Sequence, residues 1–377
     1  EPFTASAYCQ ARQRLPQEMF TRLVDRFSRQ LNPSGEAPLW KGHRVWLEDG
    51  SGFSMPDTPE LQACFGQPGN QKPGCGFPVA HLLALFDAQA GFLRDARVFP
   101  LRTQDFAHAA ELHPKLTASD VLVGDRGFCS YAHLALISQG HLHGVFRVHQ
   151  KRIVDFTPHR RQANKTQGKG FSKSRWVKSL GHCDQLVEWP KPASRPRWMT
   201  AKQFAQLPDK ILVRELKWRV RESNHRVREV ILVTTLLDPV KYPASEIARL
   251  YRLRWQVEVD LRDLKITLGL DVLKGRSVDV VMKEVQVFVL VYNLVRLVML
   301  KAARRQRVKP HRLSFIDALR WLQPPKPQQI FADLIVNPHR PNRLEPRCIK
   351  RHMKEYDLMT RPRHEMRKRL KKRLDAA

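Results

Sequence analysis

The sequence predicts an α/β fold built around one mixed β-sheet. Two short apolar segments with the alternation of buried strands each lead into an aspartate, Asp49 and Asp125. Two further strand-like segments, 79–86 and 91–99, lie between them and are separated by a tight turn. Much later, residues 251–265 have the periodicity of a helix with one apolar and one polar face. We therefore expect strands from one sheet to bring the two aspartates together and this helix to pack across that edge.

The composition points to a polyanionic partner. The chain has 377 residues, with 66 Lys and Arg against 36 Asp and Glu, so its formal net charge is +30. This excess favours nucleic acid over a membrane surface as the partner. The six cysteines form no Cys-x-x-Cys pair, so we expect reduced thiols, no zinc site and no disulfide framework.

Two features of the chain concern its boundaries and its cellular location. The apolar run 285–300 is interrupted by Asn293 and Arg296 and is short for a membrane span, so we predict a buried helix. No signal peptide is visible. The chain begins with Glu1 rather than Met, and we expect that an N-terminal piece is missing.

The polar face of the helix predicted at 251–265 combines one acid with residues that bind phosphate. At about 100° per residue, five side chains share an arc of roughly 80°. They are Tyr251, Arg254, Glu258, Arg262 and Lys265. Asp260 and Asp263 fall off this arc, so Glu258 is the acid on it. A solvated salt-bridge face explains a charged stripe equally well from geometry alone.

The spacing on this face adds information. Its pattern Tyr-x2-Arg-x3-Glu-x6-Lys resembles the signature of the insertion-sequence DDE transposases of the "IS-four" type. The matching residues are Tyr251, Arg254, Glu258 and Lys265. The segment DGSGFSMPDTPE, which begins at Asp49, and the segment GDRGF, which contains Asp125, resemble the two acidic motifs of that family. Residues 345–354 resemble its C-terminal motif.

The order of the predicted elements is that of an RNase H-like core. A strand leading to Asp49, a hairpin, a helix, a strand leading to Asp125, a helix and a strand precede the Glu258 helix. A β-rich insertion separates the second Asp from the Glu, and helical segments flank the core. The predicted units are 1–40 (N-terminal helical segment), 41–148 (first part of the core), 149–240 (basic β-rich insertion), 241–305 (second part of the core) and 306–377 (basic C-terminal region).

The resemblance implies a cut-and-paste DNA transposase in which Asp49, Asp125 and Glu258 are catalytic and hold Mg²⁺, with Mn²⁺ as an alternative. Two such ions about 3.5–4 Å apart activate the attacking oxygen and stabilise the leaving oxygen in phosphodiester chemistry. The other signature residues would hold DNA phosphates. They are Tyr251, Arg254 and Lys265. Arg262 lies outside the signature and is held as an additional DNA contact.

Some residues have a second interpretation. Asp49, taken alone, also fits a turn-forming Asp before Gly, and Asp57 in a Pro-bounded loop is a rival that fits a turn better. Four tryptophans of the insertion either stack on unpaired bases or pack in the core, and the core is favoured for each. They are Trp176, Trp189, Trp198 and Trp218. Val230 and Ile231 stand where related transposases keep a base-stacking Trp, so no stacking residue is assigned.

The expected partners are the inverted-repeat DNA of the transposon ends, target DNA and a second copy of the chain, as a homodimer in the synaptic complex. We expect no membrane partner, and a cytoplasmic, nucleoid-associated protein of a bacterium. Two alternatives stay open at this point: an RNase H-like nuclease without strand transfer, and a truncated DNA-binding repressor of transposition. The basic tail 361–373 fits a segment that follows DNA and a disordered end equally well.

Overall fold

The computed structural model describes residues 4–30, 40–101, 103, 107–160, 173–219, 229–322 and 361–374. Its strands are β1 (Val45–Ser54), β2 (Val79–Asp87), β3 (Leu93–Pro100), β4 (Val121–Gly124), β5 (His143–Arg147), β6 (Arg175–Gly181), β7 (Asp184–Pro190), β8 (Lys210–Arg219) and β9 (Glu229–Thr234). Its helices are α1 (Ala5–Arg14), α2 (Gln17–Gln30), α3 (Pro59–Phe65), α4 (Tyr131–Gln139), α5 (Ala201–Ala205), α6 (Ala244–Arg252), α7 (Arg254–Arg262), α8 (Val278–Gln306), α9 (Phe315–Trp321) and α10 (Arg363–Leu374).

The nine described strands form one mixed sheet in the order β3-β2-β1-β4-β5-β9-β8-β7-β6. Strand β1 pairs antiparallel with β2 and parallel with β4, which in turn pairs parallel with β5. The hairpin followed by two parallel strands is the RNase H-like core that the sequence predicted, so the fold class is confirmed.

The strands of the insertion extend this same sheet. Strands β6 to β9 are antiparallel to one another, and β9 pairs antiparallel with β5 of the core. A buried ion pair between Arg214 and Asp184 lies within the extension. Arg214 also donates to the backbone oxygen of Tyr242 at 2.7 Å, just before α6. The extension is thereby fastened to the segment that leads into the helix with the polar face.

The first four residues of β1 (45–48) are buried on both faces of the sheet. Successive side chains of a strand point to opposite faces, so they enter two different cores. Val45 and Leu47 point into a core shared with α6, α7 and α8. Trp46 points into a second core on the other face, shared with α4. Because helices cover both faces, the side chains of β1 are buried on each side of the sheet, as in α/β folds.

Helix α8 is the long apolar helix predicted from the sequence. It is long and apolar enough to cross a membrane by length and composition, but half of its apolar window is buried inside the protein. The amide of Asn293 accepts from the Leu93 N–H and donates to the Leu93 oxygen, both at 2.8 Å. Leu93 belongs to the edge strand β3, so the polar interruption of α8 satisfies backbone groups that the sheet leaves unpaired. This explains a core helix that carries a buried Asn.

Two local expectations were wrong. The strand expected to end at Asp49 continues to Ser54, because β2 pairs with it residue by residue from Trp46 to Ser54. The helix expected to run unbroken through 251–265 is divided at Leu253, and its last part, Asp263–Thr267, is a π-helical turn. Such turns inside helices are frequent at functional sites because they rotate the side chains that follow.

Candidate active site

Asp49 and Asp125 lie side by side because of the parallel pairing of β1 and β4. Leu47 is the register partner of Val123, and each aspartate follows two residues later. Neighbouring strands are about 4.8 Å apart, so the two residues reach the same edge at the same level. Asp125 lies just beyond β4, where its backbone oxygen accepts from the Phe128 N–H at 3.0 Å in a tight turn.

The surroundings of Asp49 change its acidity. Burial raises the pKa of this carboxyl to about 6, although the Arg254 guanidinium and the N–H of Gly50 lower it. The charges of Asp125 and Glu258 raise the pKa further. Each of the two other candidate acids is therefore near enough to act on Asp49.

Tyr251, at the end of α6, connects that helix to the second aspartate. Its hydroxyl donates to Oδ1 of Asp125 at 3.4 Å, and the ring is buried in the core. Burial raises the pKa of the Tyr251 hydroxyl, so it stays a hydrogen-bond donor at neutral pH.

Arg254, at the start of α7, lies between the first aspartate and the glutamate. Its guanidinium is 3.0 Å from Oε1 of Glu258 and 4.0 Å from Oδ2 of Asp49. Burial opposes its charge, but the neighbouring carboxylates and the phenol outweigh this and raise the pKa of Arg254. Its buried Nε has no hydrogen-bond partner within the described part of the chain. The Arg254 guanidinium thus lies between two acids, and its Nε–H is available to a further acceptor.

Lys265, on the π-helical turn, reaches back to β1. Its Nζ donates to the hydroxyl of Ser51 at 2.9 Å. Burial lowers the pKa of this half-buried lysine, while Asp271 acts in the opposite direction. Tyr251, Arg254 and Lys265 therefore each contact β1 or the residue after β4, and the helical segment is fixed across both aspartate-bearing elements.

The remaining polar residues of this segment lie elsewhere. Arg262, the last residue of α7, forms an ion pair with Asp263 at 3.2 Å. Asp260 is fully buried and pairs with Arg296 of α8. The prediction that Asp260 and Asp263 leave the polar face agrees with these positions.

Among the residues that the structure describes, no group of three or more His, Cys, Asp or Glu is arranged so as to hold a metal ion. The cation among Asp49, Asp125 and Glu258 is the guanidinium of Arg254. Three carboxylates are nevertheless the donor set that Mg²⁺ prefers, and the charges of Asp125 and Glu258 both act on Asp49. The residues fit a hard divalent ion in kind, provided that the Arg254 side chain gives way.

Sequence reasoning missed two residues of this region. Ser51 is in phase with Asp49 on β1, and that period of two could have identified it. Glu48 points to the other face of the sheet, is fully buried, and neither of its carboxyl oxygens has a hydrogen-bond partner in the described residues. It fills the space left by Gly124, where an added Cβ would lie 3.0 Å from Oε1 of Glu48. No sequence signal distinguishes this acid from an exposed one.

Other candidates are structural. Asp57 accepts from the amide of Gln62 at 2.8 Å and pairs with Arg363 at 3.5 Å, so it has partners of its own. Trp189 is buried and donates to Glu215 at 2.8 Å, which makes it a core residue. The motif expected at 345–354 lies outside the described residues.

The sequence of this chain is similar to those of known DNA transposases. A family model described as "Transposase DDE domain" matches residues 40–294, more than half of the chain. The chain belongs to this family. The transposase InsG for insertion sequence element IS4 of Escherichia coli (strain K12) is 25% identical over 370 residues, covering 93% of this chain and 77% of that protein. The "IS-four" resemblance is thereby confirmed, and the chain is an enzyme with DNA transposase function.

Two further similarities cover less of this chain. The transposase for insertion sequence element IS421 of Escherichia coli is 26% identical over 180 residues, covering 43% of this chain and 46% of that protein. A solved structure, described as the piggyBac transposase synaptic complex with hairpin DNA, is similar with a TM-score of 0.40 and 10% identity. That match covers 85% of this chain and 60% of the solved chain.

Proposed function

We propose that this transposase cuts DNA at transposon ends with a divalent metal ion held by Asp49, Asp125 and Glu258, and then joins the freed end to target DNA. The observation that carries the proposal is the set of contacts from Tyr251 and Arg254 to these three acids. They tie one helical segment to two adjacent strands at a single point.

The divalent ion, Mg²⁺ with Mn²⁺ as an alternative, activates the attacking oxygen and stabilises the leaving oxygen. Three carboxylates without such an ion repel one another, which is why Arg254 is held among them. When phosphate and metal are present, Arg254 has a second acceptor for its fork of donors, because a guanidinium matches phosphate as well as carboxylate. Arg254 then changes from a neutralising group into a phosphate clamp.

The other contacts position the DNA. Tyr251 offers a neutral hydroxyl next to Asp125, and Lys265 offers a charge next to Ser51. Groups of these types hold phosphate oxygens and set the register of the duplex without reading its sequence. Arg262, which pairs with Asp263, is a weaker candidate for such a contact.

The chemistry runs in two steps. Water first attacks the phosphodiester at the transposon end and leaves a free 3′-hydroxyl. That hydroxyl then attacks a phosphodiester of the target and releases a target 3′-hydroxyl, so one bond forms for each bond that breaks. Two ends must be processed together, which favours a homodimer on DNA. A protein with this substrate works at the chromosome, in the cytoplasm of a bacterium.

The test removes one charge at the centre. Glu258→Gln keeps the length of the side chain and an oxygen that accepts from Arg254, but it removes a metal-binding charge. We expect it to abolish Mg²⁺-dependent cleavage of an end-containing duplex and to leave binding of that duplex within about twofold, because phosphate contacts supply the affinity. Gel assays of cleavage and binding measure both properties.

The matched control is Glu246→Gln on α6, where the acid pairs with exposed Arg249. It should cleave and bind as the parent does. Full cleavage by Glu258→Gln would remove Glu258 from the metal site. Loss of binding together with cleavage would show that Glu258 supports the fold and not the chemistry.

A further inference from the structure

Helix α10 is fastened to the body of the enzyme by its first residue. The Arg363 N–H donates to the Gly74 oxygen at 3.2 Å, and the guanidinium pairs with Asp57 at 3.5 Å. The same guanidinium lies 3.4 Å from the centre of the Phe77 ring. Pro362 packs so closely on Gly74 that an added Cβ would lie 3.1 Å from it. These contacts dock α10 on the two loops that flank α3, with Asp57 before the helix and Gly74 and Phe77 after it.

The rest of α10 carries a dense positive charge into solvent. Seven of its twelve residues are Lys or Arg, and Glu365 is its one acid. The described basic side chains beyond the first turn are all exposed. They are Arg367, Lys368, Arg369, Lys371 and Lys372. Like charges at this density repel one another along a helix, so the arrangement is favourable when a polyanion neutralises it.

A line of contacts connects the active site to α10. Lys265 bonds to Ser51 of β1, and the end of β1 is bridged to Val272. Just beyond, the Thr58 hydroxyl donates to the Arg276 oxygen at 3.2 Å. The segment that Val272 begins therefore follows the end of β1 toward the loop before α3, one of the two on which α10 is docked.

Two exposed basic side chains lie along this line, among acids that include Asp271. Lys274 and Arg276 are exposed. The Glu284 carboxylate is engaged by the N–H groups of Lys274 and Gly275, and Glu60 accepts from the Val278 N–H at 2.8 Å. These two acids are held against backbone N–H groups, whereas the side chains of Lys274 and Arg276 reach solvent between the site and α10.

We propose that α10, together with Lys274 and Arg276, binds the phosphate backbone of the transposon-end duplex whose terminal phosphates Lys265 holds. This rests on the proposed function, which places that end at Lys265. The same duplex is the occupant because exposed Lys274 and Arg276 lie on the segment that runs from beside the end of β1 toward α10. The six-residue step from Ser51 to Asp57, most of it in β1, spans at most about 20 Å. At 3.4 Å per base pair, α10 begins about six pairs from the site, and its length of about 18 Å covers about five more.

The proposal predicts a dependence on duplex length. The variant Arg367→Gln/Lys368→Gln/Lys371→Gln removes three charges and keeps helix-forming residues. The control Lys301→Gln/Arg304→Gln/Arg305→Gln removes three charges at the far end of α8, a helix about 43 Å long. Binding is measured against salt with duplexes of about 6 and 18 pairs taken from the terminal repeat of the element, and with a scrambled longer duplex.

We expect the α10 variant to bind the short duplex as the parent does. On the long duplex its salt slope should fall by about 3, one unit for each lost phosphate contact. The control should keep the parental slope on both lengths. The scrambled duplex should show the same loss at α10, because phosphate contacts do not read sequence.

Three results would overturn the proposal. Equal loss on both duplex lengths, or equal loss by the control, would reduce α10 to a contribution to net charge. Parental binding of the long duplex, combined with failure to join a precut end to target DNA, would assign the surface to the target. Failure of the proposed function would be seen in other results. The parent protein would not cleave with Mg²⁺, or Lys265→Gln would bind the short duplex as tightly as the parent does. Neither result depends on the comparison of duplex lengths.

Discussion

The two sides of helix α7 carry charges in opposite ways. On the side facing the aspartates, Arg254 meets Glu258 at 3.0 Å and Asp49 at 4.0 Å, and the Glu258 side chain remains 43% exposed. On the other side, Asp260 and Arg296 form an ion pair that is buried from solvent. Arg296 also donates to the Tyr292 hydroxyl, which donates to the Gly91 oxygen.

The two sides of α7 therefore differ in role: the Asp260 pair is structural, whereas the charges near Glu258 are arranged around the candidate active site. The pair at Asp260 is buried and shares Arg296 with the Tyr292 hydroxyl, so it joins α7 to α8. Beside Arg254, the Glu258 carboxylate reaches solvent, and we propose that a metal ion and a phosphate replace the contacts of Arg254 with the acids. The buried pair on the Asp260 side of α7 holds the helix in place, so the side chains on the Glu258 side keep their positions although they are less completely paired.

The largest effect should come from the buried pair. Arg296→Met leaves the Asp260 carboxylate buried without its cation, which should lower the free energy of unfolding by about 3–5 kcal/mol. Urea denaturation measures this change. The double variant Asp260→Leu/Arg296→Met removes both charges and should recover most of the loss. A single variant as stable as the parent would show that this pair does not hold α7 against α8.

A smaller effect of opposite sign should appear at Glu48, a buried acid that lacks such a partner. Burial, reinforced by the charge of Asp49, holds the pKa of Glu48 well above its usual range. The folded protein therefore keeps a proton that the unfolded chain releases above about pH 4.5. Stability contributed by this group is present at low pH and is lost as the pH rises toward the folded-state pKa.

Glu48→Met removes the carboxyl from an apolar site and should raise the free energy of unfolding by about 1–3 kcal/mol at pH 8. The gain should shrink at pH 5, because the parent group is protonated in the folded protein at that pH and closer to protonated when unfolded. Urea titrations at the two pH values measure it, with Glu246→Gln as the exposed control. A gain that does not change with pH would contradict the buried, proton-bound state.

The smallest effect on stability should come from Glu258, on the side of α7 that faces the aspartates. Glu258→Gln, although it should abolish cleavage, should change the free energy of unfolding by less than about 1 kcal/mol, because an ion pair with a largely exposed partner contributes little. Thermal or urea denaturation of the same preparation used for cleavage makes the comparison direct. A loss as large as that of Arg296→Met would mean that both sides of α7 are structural.

Much of this site could be predicted from the sequence. The period of two placed Asp49 and Asp125 in phase with buried strand residues, and the helical period placed Glu258 with Tyr251 and Arg254. Both depend only on local geometry and on the burial of apolar side chains, which the sequence records directly. The order of strands in the core followed from the same patterns.

The rest depended on contacts between distant segments. The sequence predicted a strand that leads to Asp49, but pairing with β2 carries β1 on to Ser54. The π-helical turn that carries Lys265 to Ser51 departs from the ideal helical period, which the sequence alone does not record. The burial of Glu48 required that both faces of the sheet be covered, which no single segment reveals.

The most direct test of the central claim is a crystal structure of the enzyme with Mn²⁺ and a precut end duplex, in which anomalous scattering locates the metal. We expect an anomalous peak coordinated by Asp49, Asp125 and Glu258, with the Arg254 guanidinium moved from between the acids onto a DNA phosphate. A peak bound elsewhere, with Arg254 still between Asp49 and Glu258, would contradict the account.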